Sequence, residues 1–244
     1  MTKKYMSNPV QKSADLCKKA DMLREKNEYK TAISQYLSAI MLKRDDAKSY
    51  FGLGICHKHI GNYQKAIRYF EKSAEIQNDY KSYFELGVCQ MLDSMPCEAI
   101  KSFVKAVQIE PENPEAILQL GIAHELCEEH DMALMIYQKL IENSPEFVKA
   151  YDYKSSLLMK LDRYREATNV LKSMIKIDPT YNKAYAGIGV CLDKLGKTTD
   201  AQRYYRKYLS HTTDNSQADF IQARFNKIRQ KSAQNPFSLV PQQA

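Results

Sequence analysis

The 244-residue sequence has no run approaching the roughly 18 or more consecutive apolar residues that a membrane span requires, so a soluble protein without a membrane partner is expected. Its start, MTKKYMSNPVQK, carries lysines but neither an apolar h-region nor a small-residue cleavage site, and gives no secretory signal. Six cysteines occur, but with no CxxC and no framework spacing. Reduced thiols and a cytoplasmic location are therefore expected. Also missing are a GxxxxGK(S/T) phosphate loop, HExxH, GxSxG and a GxGxxG following a strand. Acidic pairs such as Glu128 and Glu129 lie at helix ends or loops, where such pairs are usually solvated. No enzyme activity, catalytic residue, metal or cofactor is expected.

What is present is charge of uneven distribution. The formal net charge is +7, yet Glu110 to Val148 carries nine acids against a single lysine, Lys139. An acidic middle between basic ends argues against a continuous phosphate-binding stripe and fits protein partners better.

A fixed period governs the chain. Ala32, Ala66, Ala99, Ala133, Ala167 and Ala201 fall in register at intervals of 34, 33, 34, 34 and 34. Four residues after each comes a large apolar side chain: Tyr36, Phe70, Phe103, Tyr137, Leu171 and Tyr205. Upstream runs a second helical pattern, in "YFGLGIC", "YFELGVC", "AILQLGIAH" and "AYAGIGVC", with glycine at Gly54, Gly87, Gly121 and Gly189, and Ala20 and Ser155 in the first and fifth units. Each unit thus predicts two amphipathic helices joined by a tight turn, with small residues where backbones approach. Pro111, Pro145 and Pro179 follow the second helices, where the chain must stop one helix before starting another.

These positions resemble the tetratricopeptide repeat (TPR) family. The resemblance implies an all-α, right-handed α-solenoid of about six helix-turn-helix units, 13–46, 47–79, 80–113, 114–147, 148–181 and 182–210. A flexible N-terminus, 1–12, precedes them. A capping helix, 211–231, with Phe220, Ala223, Phe225 and Ile228 on one stripe, and a flexible tail, 232–244, follow.

Cys56, His57 and His59 in "GICHKHIGNY" look like metal ligands. The repeat register argues otherwise: Cys56, Cys89 and Cys191 share a position with Ala123, a packing position where cysteine serves as a small hydrophobe. Adjacent helical residues also point about 100° apart and do not chelate one ion. Metal binding and redox chemistry are disfavoured.

In this family the first helices line a groove that commonly binds peptides or helices. By the family's pattern the partner-binding candidates are Phe51, Ile55, Phe84, Val88, Met91, Leu118 and Ile122, an apolar set suited to an amphipathic helix or an apolar-anchored peptide. The clamp that some members build for a carboxylate terminus is disfavoured, because its positions hold Cys17, Asp21, Gly52, Lys81 and Glu85, of which only Lys81 fits. A protein-interaction scaffold or adaptor follows. Two alternatives stay open: a module whose groove is closed by self-association or by its own tail, and nucleic-acid association through Lys197, Arg203, Arg206, Lys207, Arg224, Lys227, Arg229 and Lys231 with Tyr204, Tyr205 and Tyr208 interleaved. The latter is disfavoured, because several of those tyrosines fall at packing positions.

Overall fold

The computed structural model describes residues 8–212 and 215–234, which form thirteen α-helices and no strand. They come in antiparallel pairs: α1 (Pro9–Glu25) with α2 (Tyr29–Leu42), α3 (Ala47–His59) with α4 (Tyr63–Ile76), and α5 (Tyr80–Leu92) with α6 (Pro96–Ile109). Next are α7 (Pro114–Leu126) and α8 (His130–Asn143), then α9 (Val148–Lys160) with α10 (Tyr164–Ile177) and α11 (Asn182–Lys194) with α12 (Thr198–Leu209). A single helix, α13 (Asn215–Gln234), follows. The chain divides into two compact units, Met1–Ala133 and Leu134–Ala244.

Local chemistry sets these boundaries. Proline, whose missing N–H is harmless in a first turn, opens α1, α6 and α7. Asn113 caps α7, its side chain accepting from the amides of Glu115 and Ala116, and Asp79 caps α5 by accepting from Ser82. Each turn within a pair passes through one left-handed residue: Asn27, Gly61, Ser94, Glu128, Asp162 and Gly196, with φ between 58° and 76°. That residue ends the first helix and redirects the chain. Only two of the six are glycine, so four turns hold a side chain in a conformation that costs about 1–2 kcal/mol for most residues.

The repeated alanines, 32 to 201, are all fully buried, as are Tyr36, Phe70, Phe103, Tyr137 and Tyr205. The rings of Tyr36, Phe70, Phe103 and Tyr205 each lie against first-helix backbone at a glycine: Gly52, Gly54, Gly87 and Gly189. A Cβ on Gly54 would stand 2.6 Å from the Phe70 ring, and one on Gly87 would stand 2.7 Å from that of Phe103. Burying one such ring contributes roughly 1.5–3 kcal/mol, and the glycine makes room for it. In the first unit consecutive helices pack from α1 to α7, and the first helices also touch one another, α1 with α3 and α5 with α7. Second helices of that unit do not approach each other as closely among the described residues. The first helices therefore share one face.

Helix α1 begins at Pro9, four residues before the expected unit boundary at Ser13, since Asn8 accepts from Val10 N–H and starts it there. Residues 1–7, in the expected flexible N-terminus, lie outside the described residues. At the other end, α13 runs to Gln234 instead of stopping at residue 231. Nothing in its sequence ends a helix before Asn235, which precedes Pro236 and so disfavours helical backbone. The rest of the expected tail, residues 235–244, lies outside the described residues. The packed row of α13 also differs from the expected stripe. Ile221 and Ile228 are buried, with Arg224 and Phe225 half-buried between them, while Phe220 and Ala223 are exposed. The Phe220 ring instead carries the Arg224 guanidinium, 5.5 Å from its centroid.

Candidate functional site

In the first unit the shared face of α1, α3 and α5 encloses a cavity of about 510 Å³. Its walls mix charged groups with apolar surface: Asp21 and Arg24 from α1, Lys48 and Phe51 from α3, and Asp79 and Lys81 at the start of α5. The charges on α1 and α3 are matched. Asp21 accepts from the Tyr36 hydroxyl at 2.7 Å and pairs with Lys48 Nζ at 2.7 Å, while Arg24 Nε donates to the same hydroxyl at 3.2 Å. Burial and the Asp21 carboxylate push the Tyr36 phenol far above its usual range. It stays a neutral donor, anchored in the core at one end and in this network at the other. One helix pair further on, Lys58 Nζ meets Glu85 at 2.6 Å, joining α3 to α5. Below them Ser73 donates to the Ala47 carbonyl at 3.1 Å and shares a hydrogen bond with Ser82 at 2.9 Å.

Beside this polar end lies an apolar one. Phe51 meets Phe70 edge-on at 5.4 Å, and Phe84 meets Phe103 in the same way at 5.9 Å. Val88 and Met91 pack on the same cluster as Phe84, built on Ala99, Phe103 and Ala123.

Such a face, on repeated helix pairs with a ring seated on a small residue, matches a known repeat. Patterns described as "Tetratricopeptide repeat" match residues 47–80, 115–146 and 158–225, and one described as "TPR repeat" matches residues 20–61. Together they span more than half the chain. It is a tetratricopeptide repeat protein. This TPR chain is 29% identical over 102 residues to the heat shock protein STI1 of Saccharomyces cerevisiae, covering 41% of this chain and 17% of that protein. The chain spans between 12% and 25% of the length of the curated relatives it matches. Among solved structures, the C-terminal part of a TPR repeat-containing protein from Cytophaga hutchinsonii superposes with a TM-score of 0.75 at 16% identity, covering 93% of this chain and 96% of that one. YrrB, described as a TPR protein with an unusual peptide-binding site, gives a TM-score of 0.62 at 20% identity, covering 77% and 97%. At these identities the structural likeness speaks to fold alone.

The structure separates the seven candidate groove residues of the TPR repeats. Phe51, Phe84, Val88, Met91 and Ile122 are half-buried and keep an accessible edge. Ile55 and Leu118 do not: Ile55 is 8% exposed, within the cluster around Phe70, and Leu118 is 1% exposed. Leu118 occupies the repeat position of Phe51 and Phe84, three residues before the small residue, yet it is buried where they are half-buried. Both are core residues, and neither presents a surface to a partner. The charges of the cavity, Arg24 and Lys48 above all, were not among the candidates. The Asp21–Lys48 pair spans 27 residues and leaves no local signal.

The cysteine and histidine cluster disperses. Cys56 is fully buried against Cys17, Ala20 and Tyr36, His57 stacks on Tyr69 at 5.3 Å, and His59 stacks on Tyr29 at 4.8 Å. Among the described residues no three His, Cys, Asp or Glu side chains gather as metal ligands would. Burial raises the thiol pKa of Cys56 to about 11 and of Cys89 to about 12.

The expectation of six reduced thiols needs correction. Cys17, Cys56, Cys89 and Cys191 are free, but Cys97 and Cys127 form a disulfide, Cα to Cα 5.9 Å. Comparing positions within a repeat hides this pair, because it joins two repeats. Antiparallel packing sets the start of α6 beside the end of α7. One repeat earlier the equivalent residues, Gln64 and Asp93, are hydrogen bonded. Finally, no helix among the described residues is long and apolar enough to cross a membrane.

Proposed function

We propose that the protein is a non-catalytic interaction scaffold whose first unit binds a peptide segment or helix of a partner protein on the face of α1, α3, α5 and α7. The cavity beside Phe51 carries this reading. It offers matched donors and acceptors for a peptide backbone at one end, and the half-buried edges of Phe51, Phe84, Val88 and Met91 for apolar anchors at the other. Such a pairing of polar orientation and apolar anchoring is what recognition grooves use. Asp21, Glu25 and Asp79 around the cavity disfavour a terminal carboxylate as the ligand. The peptide-binding site named in the description of YrrB is consistent with this class of ligand.

The test is a displayed peptide library screened against the purified full chain. Selected peptides are expected to carry one or two large apolar residues. Phe51→Ala should weaken them about tenfold, near 1.4 kcal/mol, and Lys81→Glu, at an exposed position on the rim, should weaken them less, with the helical spectrum unchanged in both. Peptides that bind both variants as tightly as the parent chain would refute the assignment.

A further inference from the structure

The second unit holds a cleft of a different kind, independent of the face described above. Between α10 and α12, over a floor made by Leu192 of α11, lies a space of about 470 Å³. Lys172, Lys197, Arg203 and Lys207 line it against a single carboxylate, Asp200. Asp200 is 4.0 Å from Arg203, the limit of an ion pair. Lys207 lies 4.4 Å over the ring of Tyr185, and Lys172 and Lys197 are exposed with no ion-pair partner among the described residues. Four cations converging on one acid raise the local potential and draw in an anionic ligand.

Geometry narrows the ligand. Asp200, Arg203, Tyr204 and Lys207 stand at helical spacings of three and four and form one row along α12, about 10 Å long at 1.5 Å per residue. That length matches about three residues of extended chain. The tyrosines are committed elsewhere. Tyr205 and Tyr208 are buried in the core, and Tyr204, which lines the cleft, stacks on Tyr185, so successive bases meet no run of rings to stack on. Asp200, at the N-terminal end of the row, opposes a phosphate backbone, which has no N–H to offer it, but accepts from the amide of a peptide.

We infer that the α10–α12 cleft is a docking site for an acidic, glutamate- and aspartate-rich segment of a partner protein. Carboxylates of the segment meet Lys172, Lys197, Arg203 and Lys207, and one of its amides donates to Asp200. The site is specific in charge sign and tolerant in sequence, and its affinity falls with salt.

Fluorescence anisotropy with a labelled Glu/Asp-rich dodecapeptide and the purified full chain tests this. Binding should be measurable at low salt. The double reversal Lys172→Glu with Arg203→Glu, both at exposed positions, should weaken it by at least about tenfold with an unchanged helical spectrum. Reversing two exposed lysines of the first unit, Lys18→Glu with Lys30→Glu, makes the same change in net charge and should leave it nearly intact. The inference is overturned if the peptide does not bind, if the two double reversals weaken it equally, or if single-stranded DNA of matched charge or an anionic phospholipid vesicle binds more tightly than the peptide.

Discussion

The face of α1, α3 and α5 in the first unit and the α10–α12 cleft in the second are both rich in charge, and they use it oppositely. In the first, Lys48 closes on Asp21 and Lys58 on Glu85, so these charges hold neighbouring repeats in register. In the second, four cations face one half-engaged carboxylate, and the charge is left over. A paired charge on a repeat surface serves the architecture. An unpaired excess is directed outward.

That contrast can be sharpened by removing braces from the first unit, beginning with the strongest. The Cys97–Cys127 disulfide closes a loop across two repeats, 30 residues apart in sequence, and Cys127→Ser should lower the stability of the first unit by about 3 kcal/mol. Urea unfolding should show the same loss when the parent protein is reduced, and none on reducing the variant. The matched pair Asp21→Ala and Asp200→Ala probes the contrast directly. Asp21→Ala takes the acceptor from the Tyr36 hydroxyl and the counter-ion from Lys48 and should cost about 1–3 kcal/mol, whereas Asp200→Ala removes only an exposed contact and should stay within about 0.5 kcal/mol. Equal costs would erase the distinction. The smallest effect has the opposite sign. Glu128 holds a left-handed turn that elsewhere falls to Gly61 and Gly196, so Glu128→Gly should raise the thermal midpoint, by about 0.5–1 kcal/mol in stability.

Most of the fold was legible because the repeat measures itself. Six alanines and five rings at a fixed interval identify the buried positions without any knowledge of long-range contacts, and each proves fully enclosed. The same register explained why Cys56 is a packing residue. The depth of a repeat position was less legible: Leu118 and Phe84 hold the same one, yet the first is buried and the second half-buried. Least legible were contacts between repeats. Asp21 with Lys48 and Cys97 with Cys127 depend on which turns of successive helices lie side by side, and periodicity alone does not fix that crossing. The one available hint was that residues at the start of a second helix and at the end of the next first helix should be compared as a pair.

The free thiols have a practical consequence. Cys17, Cys56, Cys89 and Cys191 sit on α1, α3, α5 and α11, buried and with burial holding each thiol pKa up. None can react with a thiol reagent until its own helix opens. The rate at which each is labelled in the native protein therefore reads the opening of one repeat, and the sequence carries, without any added probe, a set of internal clocks spaced along the array.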